Sequence, residues 1–162
     1  MSSWREYPEK PIVGVGGVVI EGGKALLIRR GNEPLMGQWS IPGGTLELGE
    51  TLAEGAVREL KEETGLEVRV LEMIEVFERI NFGHGADENW KTAEERKRPR
   101  FHFVIVDYWC ERISGTAIAG GDVTDVAWAS EDDLEKFRLT STAMRVIRKA
   151  FSMARTVRKS SL

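Results

Sequence analysis

The chain has 162 residues, 41% hydrophobic and 30% charged, and its 23 Lys plus Arg against 26 Asp plus Glu leave a formal charge of −3, which fits one folded domain with a sizeable core and does not favour nucleic acid as a partner. The longest apolar run, Ile12 to Ile20, is interrupted by Gly14, Gly16 and Gly17 and is about half of the roughly 20 residues a spanning helix needs, so no membrane segment is expected. The start, Met1-Ser-Ser-Trp-Arg-Glu-Tyr-Pro, lacks a secretory pattern and the single Cys110 cannot form an internal disulfide, so a reducing, cytoplasmic setting is expected.

In chain order, Ile12 to Ile20 and Lys24 to Arg30 are β-branched or aliphatic runs separated by Glu21-Gly22-Gly23, which predicts a hairpin. Gly31 to Gly49 is rich in Gly and Pro and reads as mostly loop. From Thr51 the period becomes helical. Ala53, Ala56, Val57 and Leu60 form one apolar stripe, Thr51 and Glu54 have capping-box spacing, and Gly65 supplies a stop, so a helix is expected over 52–64. Val, Ile, Phe, Tyr and Trp dominate the apolar positions of Glu67 to Ile80, Phe101 to Glu111 and Val123 to Ala129, which read as strands. Between the first two lies Asn81 to Arg100, a polar interval with Gly83, Gly85, Pro99 and a charged run from Glu94. A loop that long inside a compact domain is a functional candidate. Two helical stretches close the chain, a short one around Asp132 to Phe137 and a basic one from about Thr142 to Val157. With no repeat or linker, one α+β or α/β domain is the economical reading.

At about 100° per residue, Glu59, Glu62 and Glu63 share one arc of the helix, away from the apolar stripe. Like charges so placed raise one another's pKa, and the arrangement becomes favourable when a divalent cation sits among them. Oxygen donors point to magnesium or manganese; zinc is disfavoured because the cluster has no His or Cys, and His84 and His102 lie far away in sequence. The competing reading is a solvated face on which Arg58 pairs with Glu54 and Glu62 at i±4 spacing. The preceding loop changes the balance. Ile41-Pro-Gly-Gly-Thr-Leu-Glu-Leu-Gly-Glu-Thr brings a Gly-rich turn, then Glu47 and Glu50, to the head of the same helix. Glycines permit close backbone approach, so a carbonyl such as that of Gly43 can join the carboxylates around a metal while the loop leaves room for phosphates.

Gly44, five residues, Glu50, seven residues and then Arg58-Glu59-Leu60-Lys61-Glu62-Glu63-Thr64-Gly65-Leu66 resembles the Nudix box, G-x5-E-x7-R-E-U-x-E-E-x-G-U with U aliphatic, at every fixed position. Trp39-Ser-Ile-Pro-Gly-Gly also looks like the family's usual lead-in. The resemblance implies a Nudix-type α/β/α sandwich with a mixed central sheet, and Mg²⁺- or Mn²⁺-dependent hydrolysis of a nucleoside diphosphate linked to a group X. By position it makes Glu59 and Glu63 the principal metal ligands, Glu62 an additional or water-mediated ligand and the Gly43 carbonyl a backbone ligand, with Glu50 and Arg58 orienting them. It leaves the general base open between Glu63 and Asp122, with Asp125 and Glu131 as rivals to Asp122. A nucleotide-derived small molecule is the implied substrate, and a homodimer the implied assembly.

Substrate-defining residues are expected on loops around such a box. Within 81–100, Phe82, His84 and Trp90 are candidates for stacking a nucleobase, and Arg96, Lys97, Arg98 and Arg100 for meeting distal phosphates; a solvated surface excursion is the alternative. Trp39 is either a packing residue under the Gly-rich loop or a wall of the base site. Arg29 and Arg30, at a strand end, are candidates for a phosphate contact, one of them expected only to cap the sheet edge. ADP-ribose-specific relatives commonly carry a Pro about fifteen residues past the box, where this chain has Arg79-Ile80-Asn81-Phe82, and diadenosine-polyphosphate relatives tend to show a Tyr nearby. Neither marker is present, and the general resemblance is to nucleoside-triphosphate and ADP-ribose-type members. Two other classes compete. One is a Nudix-fold module that senses nucleotides without cutting them, disfavoured by the full set of box carboxylates. The other is an RNA-end hydrolase that tracks phosphates with Arg145, Arg148, Lys149, Arg155, Arg158 and Lys159.

Overall fold

Strands β1 (Ile12–Glu21), β2 (Lys24–Arg30), β3 (Trp39–Ser40) and β4 (Gly43–Thr45) precede helix α1 (Leu52–Thr64) in a computed structural model that describes residues 4–82 and 98–161. Strands β5 (Glu67–Asn81), β6 (Phe101–Ser114) and β7 (Val123–Ser130), a 3₁₀ turn (Glu131–Phe137) and helix α2 (Ser141–Ser160) follow. The expected hairpin forms because Gly22 and Gly23 adopt φ of +56° and +74°, the left-handed pair that a tight two-residue turn requires. β1 organises the sheet. It pairs antiparallel with β2 at one end and with β4 near the other, and in parallel with β6 from Ile12 to Val19. β5 lies antiparallel on β6, and β2 carries both β3 and β7, giving a seven-stranded mixed sheet.

Strand alternation sends successive residues to opposite faces, and each face meets its own helix. Val19, Leu26, Val68 and Cys110 pack with Leu60 of α1, while Val18, Leu27 and Trp109 pack with Val146, Ile147, Ala150 and Phe151 of α2. The mixed α/β sandwich expected from the sequence is therefore present. α1 has the expected bounds: the Thr51 hydroxyl accepts from Glu54 N at 3.2 Å, Glu54 Oε2 accepts from Thr51 N at 2.8 Å, and Gly65 at φ +72° donates its N–H to Lys61 O. Ala56 and Leu60 of the apolar stripe are buried.

One expectation needs correction. Glu54 is committed to the cap and makes no pair with Arg58, which turns to Glu50, Glu59 and Glu62 instead. The segment 31–49 is mostly loop, as expected, and within it β3 and β4 are each too short to leave a periodic signal. The basic face of α2 is largely engaged within the chain. Arg145 and Lys149 meet Glu75, Arg148 meets Glu135, and Arg155 meets Glu131. No helix among the described residues is long and apolar enough to cross a membrane. His84, Trp90, Arg96 and Lys97 lie outside the described residues.

Candidate active site

A cavity opens on the α2 face of the sheet. Gly14 and Gly16 of β1 lie in register with Ile105 and Asp107 of β6, and Ile105 with Phe77 of β5, so these positions share one face and all line the cavity. Two glycines side by side in β1 leave a trough that larger residues would fill. Arg79 and Phe103 continue the floor, and Arg30 and Asp122 border it from β2 and from the turn before β7.

Glu59 and Glu63 reach this cavity beside β4. Gly43 N donates to Glu63 Oε2 at 2.8 Å, and the Glu59 carboxylate lies so close to Gly44 that an added Cβ there would stand 2.5 Å from Glu59 Oε2. At Gly43 an added Cβ would stand 2.3 Å from Val15 O, so β4 can lie main chain against main chain on β1 only with glycine at that position. Burial pushes Glu63 up to about 8; the Gly43 N–H opposes the shift, and the neighbouring Glu59 charge adds to it. Burial also raises Glu59, against the pull of Arg58. Two carboxylates are thus held together in a site poor in water, each disfavouring ionisation of the other.

Arg58 is the organiser of the acidic residues around it. Its Nε and Nη2 grip both Glu50 oxygens at 2.5 and 2.9 Å, Nη1 donates to Glu59 Oε1 at 2.8 Å and Glu62 Oε2 at 3.3 Å, and Nη2 also reaches Thr45 O at 3.1 Å. This fork holds Glu50 down to about 2, helped by the N–H of Glu47, and fixes the Glu59 carboxylate and the β4 end of the loop relative to the helix. Glu62 differs from its two companions: its side chain is 53% exposed and does not line the cavity. Replacing Arg58 by Gln is expected to lower kcat/KM by roughly 10- to 100-fold, the usual cost of losing a group that orients ligands. Titrating Mg²⁺ against initial rate should show the loss shared between kcat and the metal requirement, and an unchanged metal dependence would contradict the orienting role.

The other sequence candidates separate. Asp122 lines the cavity, and its charge acts on Glu63. Its rivals face elsewhere: Asp125 Oδ1 accepts from Val126 N, and Glu131 pairs with Arg155. Arg30 lines the cavity, whereas Arg29, one residue earlier, is exposed and donates from Nε to Gly37 O at 3.0 Å. Trp39 packs edge-on against Phe137, with ring centroids 5.2 Å apart, and is not part of the cavity lining. Arg100 meets Glu6 at 3.5 Å and covers the Phe101 ring, and neither Arg100 nor Phe82 lines the cavity. Sequence reasoning missed Asp107 and Arg79. The available signal was an ionisable residue inside an otherwise apolar strand, as in Val104-Ile-Val-Asp-Tyr-Trp.

No three His, Cys, Asp or Glu side chains among the described residues converge on one point, and Glu59 and Glu63 are the pair from the helix that lines the cavity. That pair suits a divalent cation. Mg²⁺ characteristically takes one or two carboxylates and completes its octahedron with water and substrate phosphates rather than with an all-protein cage. Glu59 and Glu63 are hard oxygen donors, both pushed toward the protonated form by a burial that a cation would relieve. The residues present therefore fit the metal, which Glu59 and Glu63 would hold, with the Gly43 N–H donating to Glu63 beside it.

The NUDIX domain family matches residues 10–150, most of the chain. An ADP-ribose pyrophosphatase from Methanocaldococcus jannaschii is 32% identical over 126 residues, covering 78% of this chain and 66% of that protein. A MutT-like protein from Streptomyces ambofaciens is 31% identical over 150 residues, covering 91% and 83%. Among solved structures, a MutT NUDIX hydrolase from Burkholderia pseudomallei superposes with a TM-score of 0.71 at 25% identity, over 87% of this chain and 98% of that one. The chain belongs to the Nudix family. With it, the chain falls among the hydrolases that act on phosphoanhydride bonds.

Proposed function

We propose that the protein is a Mg²⁺-dependent pyrophosphohydrolase that cuts the pyrophosphate linkage of a nucleoside diphosphate-X substrate of the nucleoside-triphosphate or ADP-ribose type. The observation that carries this reading is the division of charge within one cavity. Glu59 and Glu63 stand at one side, and the guanidinium groups of Arg30 and Arg79 stand in the same space, both disfavoured there by burial and Arg30 also by Arg79. Cations pressed together in a cleft are relieved by an anion, as buried carboxylates are by a metal. A pyrophosphate carried with a divalent cation satisfies both. The name of the Methanocaldococcus relative agrees with this substrate class.

Mg²⁺, or Mn²⁺, bound at the carboxylates would neutralise the pyrophosphate and lower the pKa of water, which is the chemistry that such an ion supplies. Arg30 and Arg79 would orient the phosphoryl oxygens away from the carboxylates. Water attacks one phosphorus, the anhydride P–O bond breaks, the departing phosphate leaves with that oxygen, and the water proton passes to a carboxylate at the cavity. Glu63 and Asp122 are the candidates to take it. A cytoplasmic, reducing setting suits the lone buried Cys110.

Nucleoside triphosphates, oxidised dGTP, ADP-ribose, NADH and dinucleoside polyphosphates, each offered with Mg²⁺ and analysed by mass, should reveal at least one converted to a nucleoside monophosphate and its complementary product. Chelation should abolish the conversion and added Mg²⁺ restore it. Absence of turnover across the panel, with nucleotides bound but not cut, would favour a sensing module instead. Asp122→Asn separates the two proton acceptors: a fall of about 100-fold or more assigns the base to Asp122, and near-normal turnover assigns it to Glu63.

A further inference from the structure

Asp107 sits in the middle of β6 and is only 3% exposed, yet its carboxylate lines the cavity. It occupies the trough left by the glycines of β1. A Cβ added at Gly16 would stand 2.4 Å from Asp107 Oδ1. Among the described residues this carboxylate accepts no hydrogen bond and no cation forms an ion pair with it; Arg79 acts on it only as a more distant charge. A buried carboxylate without donors costs the fold several kcal/mol, on the order of the penalty for a buried unsatisfied polar group, and an apolar residue would suit the packing better. Its neighbours on the same face are Ile105, Phe103 and Phe77, an apolar surface on which a flat ring can lie. Arg79, beside them, also has no hydrogen bond or ion pair to the described residues, so the floor presents one acceptor group and one donor group facing open space.

We propose that Asp107 is a specificity-determining residue of this cavity, accepting a pair of hydrogen-bond donors from the nucleoside part of the substrate while that part lies on Phe77, Phe103 and Ile105. The inference rests on the reading that the cavity takes a nucleoside diphosphate derivative, and goes beyond it by stating what the sheet floor selects. Two donor pairs have the right chemistry: the N1–H and exocyclic amino edge of a guanine-type base, and the vicinal hydroxyls of ribose. Either meets both oxygens of one carboxylate, and a site built this way rejects an analogue that lacks the donors because the buried acceptor is then left unpaired.

The test compares the full-length protein with Asp107→Asn and, in case the amide disturbs packing, Asp107→Ser. Hydrolysis with Mg²⁺ is measured for GTP, for ITP, which lacks the exocyclic amino group, and for 2′,3′-dideoxy-GTP, which lacks both ribose hydroxyls. Binding of the corresponding monophosphates is measured by calorimetry without metal. The wild-type protein is expected to prefer GTP by about tenfold or more over one of the two analogues, and that analogue identifies the donor pair. In at least one folded variant the ratio should fall to within about threefold of unity, through a larger loss on GTP than on the disfavoured analogue. A merely structural role would depress all substrates together and leave the ratio intact, and that result overturns the proposal. So does a wild-type protein that ignores both changes. If nothing is hydrolysed here or across the wider nucleotide panel, but the monophosphates bind with Asp107-dependent discrimination, the hydrolase reading fails and this inference stands. If none of them binds, this inference fails with it.

Discussion

Replacing Glu63 by Gln is expected to lower turnover by roughly 10²- to 10⁴-fold while leaving the protein folded. Gln has the same shape, and its side-chain oxygen can still accept the Gly43 N–H that Glu63 Oε2 accepts at 2.8 Å. The fold does not need the charge, because burial already disfavours it. Chemistry needs it: an amide is a poor ligand for a hard cation and cannot take a proton from water. Glu59→Gln should do comparable damage, since its carboxylate is the other cavity-lining donor, here fixed by Arg58. The two losses should not multiply, because residues that act on one metal act as a unit. Circular dichroism with monophosphate release measured over a Mg²⁺ series is the check. Wild-type rates in both single variants would remove the metal assignment, whereas a fall in rate with lost secondary structure would show only that the carboxylates are structural. Glu62→Gln is the internal control. Its side chain is half exposed and outside the cavity, so its effect should be the smallest of the three.

That ranking follows the box positions in the sequence, whereas helix geometry alone gives only the helix and a shared arc. α1 announces itself because its cap, stripe and stop are local: Thr51, Glu54 and Gly65 act within a turn of their own positions. A helical wheel places Glu59, Glu62 and Glu63 in one arc, but which of them meets the cavity depends on where β4 runs, and β4 is three residues of Gly-Gly-Thr. The same limit explains Arg29 and Arg30. Adjacent residues of a strand face opposite ways, so one must point inward, yet the choice follows from the pairing of β2 with β7, whose register shifts between these two residues. In the sequence Trp39 stays open between packing and a base wall, because the partner that decides it, Phe137, lies almost a hundred residues later. Asp107 is an ionisable residue in an apolar strand, and that alone does not give its role. Its meaning comes from the parallel pairing of β6 with β1, which brings it opposite Gly16. Long-range register of that kind leaves no mark in local periodicity.

The buried carboxylate also makes a stability prediction separate from any substrate. Burial pushes Asp107 up to about 7 from an ordinary value near 3.8; Arg79 works against the shift and Glu75 adds to it. Glu75 is itself held ionised by Arg145 from α2. Cys110, further along β6, is a buried thiol that burial pushes up to about 12, so it stays neutral and does not offset the charge. A carboxyl whose folded pKa lies above its unfolded value binds its proton more tightly when folded. Its contribution is therefore most favourable at low pH and is lost as pH rises from about 4 through about 7. Asp107→Asn removes that dependence. Relative to wild type, the variant should gain stability across the window at no more than about 1.4 kcal/mol per pH unit, reaching a ceiling of roughly 4 kcal/mol above neutrality. Denaturant melts of both proteins at a series of pH values, without metal, measure the difference directly, and the contribution of Glu63 cancels because both proteins carry it. A difference that stays constant with pH would mean that the Asp107 charge is already compensated in the folded chain, and the carboxylate would then have no unmet demand for donors to place on a ligand.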